Sequence, residues 1–183
     1  SFIEHVKEAK VIERFDAIYS GEQANTTENR PVDHFGYRKE DSAREQRVLD
    51  EQEKALVLSE HINKQEYEAI IFFGIGGSQL GPELIQQTLC YNKNKKIVFI
   101  TGSDPLEAEF KTKGLNLDTC AFILASKSFS TIETLKSFEL VTQKAHMQNT
   151  YAITSNIAGA EAFGVSRKNI LTFSAVSYTH LTL

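Results

Sequence analysis

From Phe2 to Tyr19, apolar side chains recur at positions 2, 3, 6, 9, 12, 15 and 18, the period of an amphipathic helix. A polar stretch rich in turn formers, GEQANTTENRP over 21–31, separates it from a second helical pattern. That pattern runs from Ser42 to Ile62, with Val48, Leu49, Leu56 and Ile62 as candidate core contacts. Near residue 66 the pattern changes. Ala69-Ile70-Ile71-Phe72-Phe73 is an unbroken apolar run, the sign of a strand buried on both faces. Four similar runs follow, Lys96–Ile100, Ala121–Ala125, Tyr151–Thr154 and Asn169–Phe173. Between them lie four stretches predicted as helices: Leu80–Leu89, Pro105 to near Gly114, Ile132–Met147 and Asn156–Phe163. Asp104-Pro105-Leu106-Glu107 is a helix start, with a capping carboxylate, Pro at the first helical position and Glu at the third. Gly114 and Gly164 fit helix stops.

Strands alternating with helices predict an α/β fold, a doubly wound parallel five-stranded sheet with flanking helices and right-handed crossovers. The predicted organisation is an N-terminal helical arm over 1–65, a sheet domain over 66–173 and a tail over 174–183. Ligands of such sheets collect at the carboxyl ends of the strands, where the strand order reverses. The turns after the first three strands are therefore where chemistry is expected.

Composition narrows the function classes. The 183 residues suit one domain with an appendage, and 41% hydrophobic with 24% charged is ordinary for a globular chain. Lys plus Arg number 20 against 24 Asp plus Glu, a net charge of −4 that argues against nucleic acid as a partner. No apolar run approaches the roughly 18 residues of a membrane span. Residues 1–9 alternate charged with apolar side chains and form no secretory core. The two cysteines, Cys90 and Cys120, sit in apolar surroundings and read as buried free thiols of a reducing, cytoplasmic compartment. No Cys-x-x-Cys or His-x-x-x-His spacing occurs, so no metal site is expected.

Two turns carry candidate chemistry. The first is GIGGSQLGP, residues 74–82, with four glycines that let the backbone turn sharply and expose its amides. It is not a dinucleotide fingerprint, because Gln79 stands where the third Gly belongs. It lacks the Gly-Lys-Ser/Thr of a P-loop, and Leu80 breaks the Gly-x-Ser-x-Gly of a nucleophile elbow. Two readings stay open, a tight strand–helix turn without ligand or an anion site at a helix start. The second is Ser126-Lys127-Ser128-Phe129-Ser130-Thr131, four hydroxyls and an ammonium before a helix. Ser130 and Glu133 fit a capping box, so the hydroxyls either cap that helix or cradle a phosphate. Thr101-Gly102-Ser103-Asp104 is explained by capping. His5, His61, His146 and His180 read as solvated or structural, and His34 lies in a polar turn near Glu28 and Asp33.

NTTENRPVDHFGYR, GIGGSQLGP and ASKSFSTIET, in this order, resemble the glucose-6-phosphate isomerase (phosphoglucose isomerase) family over about residues 1–173. The resemblance implies an arm followed by most of a first sugar-isomerase (SIS) domain. It implies reversible conversion of glucose 6-phosphate to fructose 6-phosphate through an enediol, in glycolysis and gluconeogenesis, without a cofactor. By residue-to-residue carry-over, the substrate phosphate sits on Ser126, Lys127, Ser128, Phe129, Ser130 and Thr131, with Ser126, Ser128 and Thr131 as direct donors. Gly77 and Ser78 are carried over as sugar-phosphate contacts. Ser128 and Ser130 stand where the family usually has Thr, and the hydroxyls survive. The family's Gly-Gly-Arg segment and its Glu, His and Lys lie downstream and match nothing here. No catalytic residue is therefore expected in this chain, and no turnover from it alone. The tail 174–183 matches no part of the pattern and is set aside. The resemblance also implies a homodimer for the full-length protein. The alternative is a stand-alone SIS module that senses a sugar phosphate; the N-terminal arm fits the isomerase better.

Overall fold

The five apolar runs pair into one sheet. The computed structural model describes residues 2–20, 42–89, 95–142 and 144–173. The strands are β1 (Ala69–Phe73), β2 (Lys96–Ile100), β3 (Cys120–Ala125), β4 (Thr150–Ile153) and β5 (Ile170–Leu171). They stand in the order β2-β1-β3-β4-β5, and every pairing is parallel. Phe73 is level with Ile100 on one side and with Leu124 on the other. The fifth strand, predicted over 169–173, is shorter because Arg167–Asn169 winds into a 3₁₀ turn.

The helices are α1 (Phe2–Glu8), α2 (Val11–Ser20), α3 (Ser42–Lys64), α4 (Gly77–Leu89), α5 (Pro105–Thr112), α6 (Ile132–Val141) and α7 (Ile157–Phe163). The chain divides into two units, the second running Glu53–Phe173. In the first unit, the single helix predicted from Phe2 is two. The break falls at Ala9-Lys10, where Lys10 adopts φ 50°, a left-handed conformation that interrupts the helix. Of the contacts predicted for α3, Ile62 is buried and Val48 half-buried, whereas Leu49 and Leu56 are exposed. The stripe that meets the sheet is instead Leu58 and Ile62, one helical turn apart.

Alternation along each strand splits the core between the two sheet faces. Ile71, Phe73, Val98, Ile100, Phe122 and Leu124 pack with Ala108 of α5, Phe138 of α6 and Ala160 of α7. On the other side, Ala121 and Tyr151 meet Leu58, Ile62 and Tyr67, while Phe72, Phe99 and Ala125 form a further cluster. One shared face for α5, α6 and α7 is what right-handed crossovers require, since β2→β3, β3→β4 and β4→β5 all step the same way across the sheet. Cys120 is buried, as its apolar setting predicted. His146 is structural: its ring lies against Phe122, with centroids 5.3 Å apart, and its Nε2 is 3.0 Å from Asp118 Oδ1. Cys90, His34, His180, the segment 25–38 and the tail 174–183 lie outside the described residues.

Caps fix where the helices begin and end. Asp104 Oδ1 accepts the Leu106 N–H at 2.9 Å, as predicted. Glu107 does not complete a capping box; it reaches to the Thr101 N–H, the Thr101 hydroxyl and Lys111 Nζ at 3.2, 3.1 and 2.7 Å. Asn156 Oδ1 caps α7 through the Gly159 N–H at 2.9 Å, and Gly164 ends it with φ 112°. The helix predicted to reach Met147 stops at Val141, with Thr142 extended, and Lys144–Asn149 is a separate 3₁₀ turn.

Candidate functional site

The strand order reverses around β1, with β2 on one edge and β3 on the other. β1 ends at Phe73, level with Leu124, and β3 runs one residue further to Ala125, so their turns leave the sheet side by side, about 5 Å apart. These are the glycine turn and the hydroxyl turn, the two that sequence reasoning selected. The turn after β2 is used internally: Glu107 accepts from Thr101, and Ser137 Oγ donates to the Gly102 carbonyl at 2.5 Å.

In the glycine turn, a Cβ on Gly74 would lie 3.1 Å from the Ser78 carbonyl oxygen and 3.2 Å from the Phe72 ring. A larger residue there would press on the start of the next helix and on the Phe72 ring. Gly76 takes φ 58°, and α4 starts directly afterwards, at Gly77 rather than at the predicted Leu80. The Leu80 and Gln79 amides both return to the Gly76 carbonyl, at 2.9 and 3.0 Å. A Cβ on Gly76, Gly77 or Gly81 would meet nothing within 4 Å, so the start of α4 borders open space. Gly77 is exposed there and Ser78 half-buried.

The hydroxyl turn pivots on Phe129. Its side chain is buried, with the Phe163 ring centroid 5.7 Å away, and its backbone takes φ 51°. Its N–H closes the turn on the Ser126 carbonyl at 3.2 Å. Phe129 is thus an anchor under the turn rather than a side chain open to a ligand. The hydroxyls pair with each other: Ser126 Oγ with Thr131 Oγ1 at 3.1 Å, half-buried, and Ser128 Oγ with Ser130 Oγ at 2.7 Å, exposed. The capping box predicted for Ser130 and Glu133 does not form. The N-cap residue of α6 is Thr131, and its side chain makes no cap hydrogen bond. The first turn of α6 therefore keeps its amides for another acceptor. Within that turn, Thr134 Oγ1 is buried without a hydrogen-bond partner among the described residues.

The residues that sequence reasoning missed lie at the end of β4. The Lys127 carbonyl accepts from Thr154 Oγ1, the Ser155 N–H and Ser155 Oγ, at 3.0, 3.1 and 2.8 Å. Asn156 Nδ2 donates to the Ser128 carbonyl at 2.8 Å. Thr-Ser-Asn reads in sequence as a helix start, which hides its second use.

Chemically, the two turns offer hydroxyls, backbone amides, the Lys127 ammonium and two helix N-termini at one sheet edge, an arrangement suited to an anion. Among the described residues, no group of three His, Cys, Asp or Glu is placed to hold a metal ion. No described helix is long and apolar enough to cross a membrane.

The comparisons with known proteins agree with this geometry. The family model described as phosphoglucose isomerase matches residues 1–177, reaching into the stretch that sequence reasoning left unmatched. A glucose-6-phosphate isomerase of Saccharophagus degradans is 32% identical over 176 residues, covering 84% of this chain and 32% of its own length. One from Shewanella baltica is 33% identical over 187 residues, covering 86% of this chain and 34% of its own. The chain thus spans about a third of the length of these relatives. The crystal structure of a glucose-6-phosphate isomerase from Chlamydia trachomatis superposes with a TM-score of 0.67 at 22% identity, over 94% of this chain and 37% of that one. A hypothetical protein from Thermus thermophilus gives 0.51 at 20% identity, over 70% of this chain and 33% of its own. At such identities the two structures show a shared fold.

Proposed function

Because the chain belongs to the phosphoglucose isomerase family, we propose that it holds the phosphate of a hexose phosphate in the interconversion of glucose 6-phosphate and fructose 6-phosphate. The observation that carries this reading is the register Phe73↔Leu124, which brings the glycine turn and the hydroxyl turn to one crevice where the strand order reverses. In this reading Ser126, Ser128 and Thr131 donate hydroxyls to the phosphate oxygens, and Ser130 adds a fourth. Lys127 contributes charge, and Phe129 keeps the turn in shape from below. Gly77 and Ser78 face the sugar-phosphate from the start of α4. An isolated cap is a weaker account of these hydroxyls, because none of them caps α6.

The isomerisation moves a proton between C2 and C1 through an enediol, so it needs no redox partner and no cofactor. A base must stand about 3 Å from that proton. We assign no residue of this chain to that role; its share is anchoring the phosphate, which orients the reacting carbons. In the same proposal, residues 66–173 are a first SIS domain and 1–65 its arm, within a cytoplasmic homodimer.

Isothermal titration of the 183-residue chain tests the reading. Glucose 6-phosphate and fructose 6-phosphate should bind, and unphosphorylated glucose should not. Equal binding of glucose and glucose 6-phosphate, or binding of neither phosphate, refutes it.

A further inference from the structure

The hydroxyl turn is held from outside as well as by its own bonds. Four hydrogen bonds tie two consecutive carbonyls, Lys127 and Ser128, to the turn after β4, and one comes from the Asn156 carboxamide. That side chain is used at both ends. Its Oδ1 accepts the Gly159 N–H at 2.9 Å and its Nδ2 donates to the Ser128 carbonyl at 2.8 Å. Its own N–H donates to Thr154 Oγ1 at 3.0 Å, and that hydroxyl in turn donates to Lys127. The C=O and N–H of a trans peptide point in opposite directions. Drawing the Lys127 carbonyl toward residues 154–155 therefore turns the Ser128 N–H away from them. Gly159 locks the arrangement, because a Cβ there would lie 2.6 Å from Asn156 Nδ2 and 2.9 Å from its Cγ.

We propose that Asn156 is a positioning residue for the hydroxyl turn: as N-cap of α7 it sets, through the Ser128 carbonyl, the geometry in which Ser126–Thr131 meets a phosphate. The functional half of this statement rests on the phosphate reading above; the structural half does not.

Asn156→Ser separates the two uses of the side chain. Serine is an equally good N-cap, so α7 and the melting temperature should hold. The donor to Ser128 is lost with no change of charge. The expected results are glucose 6-phosphate binding weakened about three- to tenfold, the worth of one neutral hydrogen bond, and faster amide exchange at Phe129 with Gly159 still protected. Gly159→Ala crowds the carboxamide from behind while helix propensity favours the new residue, and should weaken binding similarly. It decides the matter alone if Asn156→Ser fails to fold. Wild-type affinity together with wild-type Phe129 exchange in a folded variant overturns the proposal. If the unmutated chain binds no glucose 6-phosphate, the phosphate reading falls, and amide exchange still decides whether Asn156 sets the turn.

Discussion

Removing the Thr131 hydroxyl distinguishes a phosphate cradle from a helix cap. The hydroxyl makes no cap bond to α6; its partner is Ser126 Oγ at 3.1 Å. If it donates to a phosphate oxygen in the complex, the lost bond is one to a charged group, about 1.5–3 kcal/mol. At about 1.4 kcal/mol per decade, Thr131→Ala should weaken glucose 6-phosphate binding by about 10- to 150-fold. The free protein gives a separate reading. Ser126 is buried, so losing either hydroxyl of the pair leaves the other without its partner, at a cost of about 1 kcal/mol or more. For a chain of this size that corresponds to about 2–4 °C in melting temperature. Because Ser126→Ala and Thr131→Ala remove the same bond, the double variant should lose less stability than the sum of the singles. Titration calorimetry reads the affinity and thermal denaturation by circular dichroism reads the stability. Thr131→Ser, which keeps the hydroxyl, should bind near the unmutated level. A folded Thr131→Ala protein with undiminished affinity would refute the cradle.

Three further outcomes are expected. Phe129→Ala empties a buried site under the turn and should cost about 3–5 kcal/mol in urea unfolding; Phe129→Gly, better suited to φ 51°, should lose about 1 kcal/mol less, and an alanine cost below about 1 kcal/mol would show that the side chain is no anchor. Burial pushes the Glu107 carboxyl up, but hydrogen bonds from Lys111 and from the Thr101 amide and hydroxyl, with the Lys111 charge, hold it below its ordinary 4.5. A depressed carboxylate adds stability that is fully present above its unfolded pKa and is lost as pH falls through the folded one, so Glu107→Gln should flatten the acid unfolding limb below about pH 4.5, and an unchanged limb would sink the assignment. Burial, with help from the Glu68 carboxylate, pushes the Cys120 thiol up, so it should resist thiol reagents until the chain unfolds, and rapid labelling in the native state would contradict its burial.

Much of the sheet was legible because its physics is local. Apolar runs such as Ala69–Phe73, bounded by glycine and polar clusters, have little alternative to a buried strand. The Asp104-Pro105 start was equally plain. Three features were less so, for identifiable reasons. The match of Ser130 and Glu133 to a capping box is real in sequence, but the left-handed Phe129 shifts the entry of the chain by one residue and makes Thr131 the N-cap. The helix predicted through Met147 ends at Val141, where Thr142 turns extended with φ −112° and ψ 161°; the 3₁₀ turn beyond it keeps a similar spacing of apolar positions, which hides the break in the sequence. The clamp from Thr154, Ser155 and Asn156 joins residues 27 and 28 positions apart, and no local pattern announces such a contact. The candidate site was visible as two turns, but their convergence needed the strand order. That order depends on non-local pairing.

Among the described strands β1 comes first in the chain and finishes between β2 and β3. Its outer flank therefore waits, during synthesis or refolding, until Cys120–Ala125 has been delivered across the loop that holds β2. Through that interval Phe72 and Phe73 stand beside a row of unpaired amides, the kind of edge that recruits other chains. When β3 docks, that flank disappears and the crevice between the two turns comes into being. Closing the exposed edge and assembling the candidate site are thus the same step of topology.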